Sequence, residues 1–183
     1  MSQSASTEGP AHGALPGDCQ SQTSGVAFFD LSRIPEWTGS DQDARVAGFF
    51  QEFYALSAGR IEPAGGRIVK FMGDAGLAVF PPDDADSVIS ALCELAAESR
   101  ALARRAGLDA YLNVNVHVGP VLAGSFGTPG AERFDVIGKT VNVAARLGRR
   151  GVTLSAQAFR CLSPEGRKRF SKFTPPTTYR FRS

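Results

Sequence analysis

The chain has 183 residues, 43% of them hydrophobic, which is sufficient for one globular domain with a buried core. Its formal net charge is only +2, and its short basic clusters are interpreted as solvated surface rather than as anion sites. The three cysteines, Cys19, Cys93 and Cys161, form neither a metal-binding spacing nor a disulfide framework, which favours a reducing, cytoplasmic location. No segment approaches the roughly 18 consecutive apolar residues of a membrane-spanning helix, so no membrane association is expected.

The beginning of the chain differs in composition from the rest. Residues 1–24 are rich in Ser, Gln, Gly and Pro, and they lack both the positive charge and the apolar stretch of a secretion signal. We therefore expect a flexible N-terminal tail over residues 1–24 and a single folded domain over residues 25–183.

Order is predicted to begin with a short apolar strand, GVAFFDL, that ends at Asp30. Ser40 is a candidate cap for a helix whose apolar residues recur at spacings of three and four, from Val46 to Leu56. The segment GGRIVKFMGDAGLAVF then predicts a hairpin, because two apolar runs are joined by the turn residues MGDA.

The second half of the chain predicts another helix and several more strands. PPDDADS begins a helix, and AYLNVNVHVG alternates as expected for a half-buried strand, with PVLAGSFG as a neighbouring strand. FDVIGKTVNVAARLGRR predicts a short strand and then a helix, and VTLS and TTYRFR predict late strands. This order indicates an α+β domain, with a ferredoxin-like antiparallel sheet and helices packed on it.

Two carboxylates are predicted to meet at one end of this sheet. Asp30 ends the first strand, Asp74 lies in the hairpin turn, and the topology favours these strands as neighbours. Taken singly, each is interpreted as an ordinary turn residue. Together, two hard oxygen ligands suit Mg²⁺ or Mn²⁺, which complete their coordination shell with water and phosphate oxygens.

A second pair of polar residues lies in the helix predicted from FDVIGKTVNVAARL. Asn142 and Arg146 are one helical turn apart and share a face. In isolation such a pair is interpreted as a solvent-facing hydrogen bond. Across a cleft, Arg presents a planar fork to phosphate and Asn can position a sugar.

Three segments, GRIVKFMGDAGLAVF, NVNVHVGPVLAGSFG and FDVIGKTVNVAARL, together closely resemble the catalytic domain of class III nucleotidyl cyclases. The resemblance runs from about Val26 to Tyr179, and three blocks in the right order and spacing make it specific. It implies the cyclase fold and a reaction in which the ribose 3′-hydroxyl attacks the α-phosphate of a nucleoside triphosphate. The products would be a 3′,5′-cyclic nucleotide, used in signal transduction, and pyrophosphate.

The resemblance also implies a role for each matching residue. Asp30 and Asp74 would hold two Mg²⁺ or Mn²⁺ ions, one activating the 3′-hydroxyl and the other anchoring the triphosphate. Asn142 would orient the ribose, and Arg146 would stabilise the charge that develops on the α-phosphoryl oxygens. Lys172 is the nearest match to a phosphate-binding lysine near the family's C-terminal strand.

The choice of base is predicted from hydrogen-bond donors and acceptors. Lys70 supplies a donor and Asp135 an acceptor, which complement the N1 acceptor and the 6-amino donor of adenine. Guanine presents the reverse pattern and would leave both protein groups mismatched in a closed pocket. ATP is therefore the expected substrate, and adenylate cyclase the expected activity.

In this family the site lies between two subunits, which implies a head-to-tail homodimer with two equivalent sites. The metal-binding aspartates would come from one subunit, and the base-binding and catalytic residues from the other. No nucleic acid and no membrane is expected as a partner.

The chain departs from the family pattern directly after Asp30. The family has an apolar residue, any residue, Gly, Phe and then Ser or Thr, where this chain has Leu-Ser-Arg-Ile-Pro at 31–35. Arg33 replaces the glycine of a turn whose backbone N–H groups should cradle phosphates, and Pro35 removes one of those donors. The Arg33 guanidinium is expected to compensate by binding phosphate.

Two other functions fit parts of the pattern. One is a cyclase-like nucleotide-binding or regulatory module that lacks turnover because of Arg33 and Pro35, and manganese-dependent turnover would separate it from an enzyme. The other is a ferredoxin-like RNA-binding domain. That function requires exposed aromatic residues on central strands, where NVNVHVG has Asn and His instead.

Overall fold

The computed structural model describes residues 18–35, 41–148, 151–174 and 176–182, so most of the predicted tail and the cap residue Ser40 lie outside the described residues. Within them the strands are β1 (Gln20–Ser32), β2 (Arg67–Met72), β3 (Ala75–Phe80), β4 (Tyr111–Phe126), β5 (Arg133–Ile137), β6 (Val152–Ser155), β7 (Phe170–Phe173) and β8 (Thr178–Phe181). The helices are α1 (Asp41–Ile61), α2 (Ala85–Arg105), α3 (Lys139–Arg146), α4 (Ala156–Cys161) and α5 (Pro164–Lys168).

The strands form one sheet in the order β2-β3-β1-β4-β6-β8-β7, and β5 pairs with β4 beside that path. All pairings described are antiparallel except that of β4 with β6, which is parallel. The parallel pair follows from the crossover through β5 and α3, which returns the chain beside β4 in the same direction. The predicted α+β class is confirmed. Among the described helices, none is long and apolar enough to cross a membrane.

The central strand β1 divides the interior into two clusters, because its side chains alternate between the two faces of the sheet. Phe29 packs on the face covered by α1 and α2, which we call the helix face. Val26 packs on the opposite face with Leu77, Val121 and Ala144 of α3, and we call this the α3 face. The alternation that buries Phe29 under the helices therefore leaves Asp30 on the α3 side.

The bounds of β1 and β4 differ from the expectation. β1 begins at Gln20 rather than near Gly25, because its first residues pair with residues 119–123 of β4. The prediction that AYLNVNVHVG and PVLAGSFG form two strands is wrong, since both belong to the single strand β4. β1 is long enough to pair with both parts, so the ladder continues without a break.

The predicted half-burial of β4 is also wrong. Val114, Val116 and Val118 are buried on the helix face as expected, but Asn113 and Asn115 are buried as well, each only 1% exposed. Two glycines beyond α3 contact them: Asn115 Nδ2 donates to the Gly148 carbonyl at 2.8 Å, and the Gly151 N–H donates to Asn113 Oδ1 at 3.2 Å. These amides satisfy backbone groups of Gly148 and Gly151 and do not mark a solvent face.

The packing of α1 yields a stability prediction. Phe53 is fully buried and lies edge-on to Phe29, with ring centroids 6.3 Å apart. We predict that Phe53→Ala lowers the free energy of unfolding by about 3–5 kcal/mol, because buried contacts are lost and a cavity remains. The neighbouring Glu52 is exposed, so Glu52→Ala is the matched control, with an expected change below about 0.5 kcal/mol. Urea denaturation measures both, and similar values for the two variants would contradict the packing described.

Candidate functional site

Asp30 and Asp74 lie side by side at one end of the sheet. β1 pairs with β3 so that Asp30 is opposite Ala75, and the Leu31 N–H donates to the Asp74 carbonyl at 2.9 Å. Gly73, with a φ of +68°, allows the β2–β3 turn to reverse tightly beside Asp74. Asp30 is half-buried and Asp74 is exposed, so the pair sits at the rim of the α3 face.

Tyr54 of α1 supports this turn, a role for which the sequence offered no signal. Its hydroxyl donates to the Gly73 carbonyl at 2.6 Å, and its ring stacks on Phe71 with centroids 4.1 Å apart. Burial raises the pKa of Tyr54, and the nearby Asp74 carboxylate raises it further. The hydroxyl therefore stays protonated at neutral pH and holds the backbone that carries Asp74.

The chemistry of these donors fits a small divalent cation. Within the described ranges, no group of three or more His, Cys, Asp or Glu side chains could enclose a metal ion. A pair of carboxylates forms an open site of hard oxygens, which suits Mg²⁺ or Mn²⁺ with water or phosphate in the remaining positions. Asp30 and Asp74 are the residues that would hold such ions.

The turn after Asp30 has an unusual backbone at Arg33. Its φ is +64°, the single positive value at a non-glycine residue in the part of the chain that the structure describes. Arg33 thus adopts a conformation for which glycine is the usual residue. Its guanidinium donates to Asp109 Oδ2 at 2.7 Å and lies 5.6 Å from the centre of the Tyr111 ring. The side chain expected to bind phosphate is engaged with Asp109, a partner that the sequence did not indicate.

Lys70 and Asp135 form an ion pair, with 2.5 Å between Nζ and Oδ2. A β-bulge at Val69 shifts the β2–β3 register, so that Lys70 lies opposite Leu77 and on the α3 face. Without the bulge, regular alternation would turn Lys70 toward the helices. Asp135 is held by its own strand, since its second oxygen accepts the Val136 N–H at 2.8 Å. The two side chains are 41% and 24% exposed, so a ligand can reach the pair.

Asn142 and Arg146 are both exposed on α3 and line the same cavity, of about 450 Å³. Ala144, on the opposite side of the helix, is fully buried in the α3-face cluster and so orients the pair outward. The described lining of the cavity does not include Asp30 or Asp74. Among the described residues, the aspartate pair and the Asn-Arg pair therefore do not line a common cavity within one chain.

Lys172 lies apart from these groups. It is exposed on β7, opposite Tyr179 of β8, and Tyr179 stacks on Phe159 of α4 with ring centroids 3.7 Å apart. The Lys172–Tyr179 position of the β7–β8 hairpin therefore belongs to the helix face. Lys172 is not among the described residues that line the cavity of Asn142 and Arg146. Its phosphate-binding role stays a prediction.

The match to a known family covers nearly all of this architecture. The model of the adenylate and guanylate cyclase catalytic domain matches residues 20–175, and the chain belongs to this family. The chain is 31% identical over 126 residues to Rv1319c and 31% identical over 160 residues to Rv1318c, both of Mycobacterium tuberculosis. These matches cover 67% and 80% of this chain but only 23% and 28% of those proteins, so the chain spans about a quarter of their length.

Solved cyclase structures have the same fold. A bacterial light-regulated adenylyl cyclase superposes with a TM-score of 0.74 at 19% identity, over 91% of this chain and 53% of that one. The adenylyl cyclase CyaB from P. aeruginosa gives 0.73 at 17% identity, over 91% and 96%. The guanylyl cyclase Cya2 gives 0.71 at 20% identity, over 85% and 83%. The resemblance to the cyclase family, seen in three sequence segments, is confirmed. Adenylyl and guanylyl cyclases share this fold, so the fold does not decide between ATP and GTP. The choice of base has to be argued from individual residues.

The backbone of Arg33 yields a prediction. Arg33→Gly and Arg33→Ala both remove the contact with Asp109 and differ only in the Cβ atom. Because a positive φ is unfavourable for residues with a Cβ, we expect Arg33→Gly to be more stable than Arg33→Ala by about 0.5–1 kcal/mol. At the preceding strand residue, Ser32→Gly should instead be less stable than Ser32→Ala. Chemical denaturation of the four variants measures the two differences, and the same sign at both positions would contradict a left-handed turn at Arg33.

Proposed function

We propose that this domain is an adenylate cyclase that converts ATP to 3′,5′-cyclic AMP and pyrophosphate. The observation that carries the choice of base is the Lys70–Asp135 ion pair on the α3 face. It offers an ammonium donor beside a carboxylate acceptor, which complement N1 and the 6-amino group of adenine. Guanine reverses both groups, and each mismatched polar group in a closed site costs about 1–3 kcal/mol.

The chain's own residues would bind and orient the substrate. Asn142 offers an amide to the ribose, and Arg146 offers a planar guanidinium to the α-phosphoryl oxygens, where negative charge grows in the transition state. Asp30 and Asp74 would hold two Mg²⁺ or Mn²⁺ ions, whose chemistry is to acidify the 3′-hydroxyl and neutralise the triphosphate. The 3′-oxygen loses its proton and bonds to the α-phosphorus as the bond to the pyrophosphate oxygen breaks.

A head-to-tail homodimer would bring together residue pairs that do not line a common cavity in one chain. The aspartates of one subunit would face the Lys70–Asp135 and Asn142–Arg146 pairs of the other, giving two equivalent sites. The α3 face also carries partly buried apolar side chains that a second subunit could cover. These are Phe28, Val69, Phe134 and Val141.

The turn at Arg33 supports a second candidate, a nucleotide-binding module with little turnover. Pro35 lacks an N–H, and Arg33 is held by Asp109, so the turn offers few donors to a phosphate. The Arg33–Asp109 pair is largely exposed, with side chains 65% and 79% accessible. An exposed ion pair contributes only about 0–1 kcal/mol, so Arg33 can exchange Asp109 for a phosphate at little cost. This exchange favours the enzyme over the silent module.

The first test is production of cyclic AMP from ATP with Mn²⁺ by the wild type and by Asp74→Asn. The amide keeps the size of the side chain but removes the charge that a metal ion requires, so we expect activity to fall at least about 100-fold. Asp83→Asn, at an exposed position before α2, is the matched control and should keep full activity. Wild-type activity in Asp74→Asn would exclude Asp74 as a metal ligand. ATP binding by the wild type without any product would favour the silent module.

The second test exchanges the charges of the base-binding pair. The double variant Lys70→Glu/Asp135→Lys keeps an ion pair but inverts donor and acceptor, which complements guanine instead of adenine. We expect the ratio of GTP to ATP activity to rise by about 10- to 100-fold. Each single substitution puts two like charges side by side and should lower both activities. An unchanged ratio in a folded double variant would exclude this pair from base recognition.

A further inference from the structure

A second cavity, of about 760 Å³, lies between α2, the first residues of β4 and β6, and the β7–β8 hairpin. None of the residues assigned above to cyclase function lines it. Much of its wall is apolar and partly aromatic. The apolar lining comprises Ala96, Ala97, Tyr111, Leu112, Val152, Phe173 and Phe181.

Three arginines also line this cavity, Arg100 from α2 and Arg180 and Arg182 from the end of the chain. The described lining contains no Asp or Glu. Arg100 and Arg182 are exposed and Arg180 is half-buried, so water screens them in part, but three guanidinium groups without a carboxylate in the lining still give the cavity a net positive charge. Such a cavity attracts anions.

Arg180 is the best defined of these groups. Its Nε is buried and has no hydrogen-bond partner within the described residues. Its guanidinium carbon lies 4.3 Å from the centre of the Phe173 ring, a cation–π contact with another residue of the cavity wall. Buried polar groups nearly always have a partner, and an exception indicates a water, an ion or a ligand.

Two polar residues of the hairpin, Arg180 and Ser171, share one face, which is opposite to the face of Lys172 and Tyr179. Arg180 is directly opposite Ser171 in the β7–β8 ladder, so both project to the same side. Arg182 lies two residues further along and donates from Nε to the Ser171 hydroxyl at 2.7 Å. This contact restrains Arg182 beside Arg180, and Arg100 lines the same cavity from α2.

We propose that this cavity binds a small organic anion that has a carboxylate or phosphate head and an apolar body. The planar, multidentate donors of arginine match the oxygens of such a head. The aromatic and aliphatic walls match a body that buries apolar surface, and the volume is within the range of small-molecule sites. The site is independent of the proposed cyclase reaction.

Isothermal titration calorimetry with two probes of similar shape tests the site. 2-Naphthoate carries the anionic head, and 2-naphthalenemethanol replaces it with an uncharged hydroxymethyl group. We expect 2-naphthoate to bind at least about tenfold more tightly than 2-naphthalenemethanol, because one charge-assisted hydrogen bond contributes about that much to affinity. Arg180→Met and Arg100→Met should each lower the affinity for 2-naphthoate by about tenfold or more and leave the affinity for 2-naphthalenemethanol unchanged.

Arg104→Met is the matched control, because Arg104 is exposed one turn beyond Arg100 on α2 and does not line the cavity. It should leave the affinity for 2-naphthoate unchanged. Thermal unfolding establishes that each variant is folded, and Arg100→Met, at an exposed helical position, keeps the test valid should Arg180→Met unfold. Absence of binding at millimolar concentration, equal affinity for the two probes, or an equal loss in Arg104→Met would each overturn the proposal.

Discussion

The rest of the structure depends on the antiparallel pairing of β1 with β4, which extends over the whole of β1. Side chains alternate between faces along a strand, so this one register decides which residues enter the helix-face core and which reach the α3 face. Phe29 packs under the helices, and Asp30 is left at the rim beside the β2–β3 turn. A slip of one residue would bury the Asp30 carboxylate among apolar side chains, at a cost of several kcal/mol or more unless it became neutral.

The Lys70–Asp135 pair depends on a local exception to that alternation. The extra residue Val69 brings Lys70 to the α3 face, where β5 presents Asp135. β5 itself lies beside the main strand order because it pairs only with the far end of β4. The length of β4 thus serves two purposes: one part completes the central ladder, and its end carries the strand that holds the partner of Lys70.

The sequence predicts those parts of the fold that rest on local periodicity. The hairpin around Asp74, the helix with Asn142 and Arg146, and the α+β class follow from patterns that neighbouring residues complete by themselves. The candidate functional residues came from the resemblance to the cyclase family, since periodicity does not distinguish a metal-binding aspartate from a turn residue. The features that were missed depend on segments distant in the chain: the single long β4, the buried amides of Asn113 and Asn115, and the contact of Tyr54 with Gly73.

The substitution at Arg33 separates two properties that a glycine would combine, a left-handed backbone and space for a phosphate. The left-handed backbone is retained, because Arg33 adopts a φ of +64° in spite of its side chain. The space for a phosphate depends on the Arg33 guanidinium, which forms an ion pair with the exposed carboxylate of Asp109. That ion pair contributes at most about 1 kcal/mol, whereas a charge-assisted bond from arginine in a more enclosed site contributes about 1.5–3 kcal/mol. For the proposed ATP substrate, this balance would favour transfer of the guanidinium to a phosphate, so the departure from the family pattern is compatible with the proposed reaction.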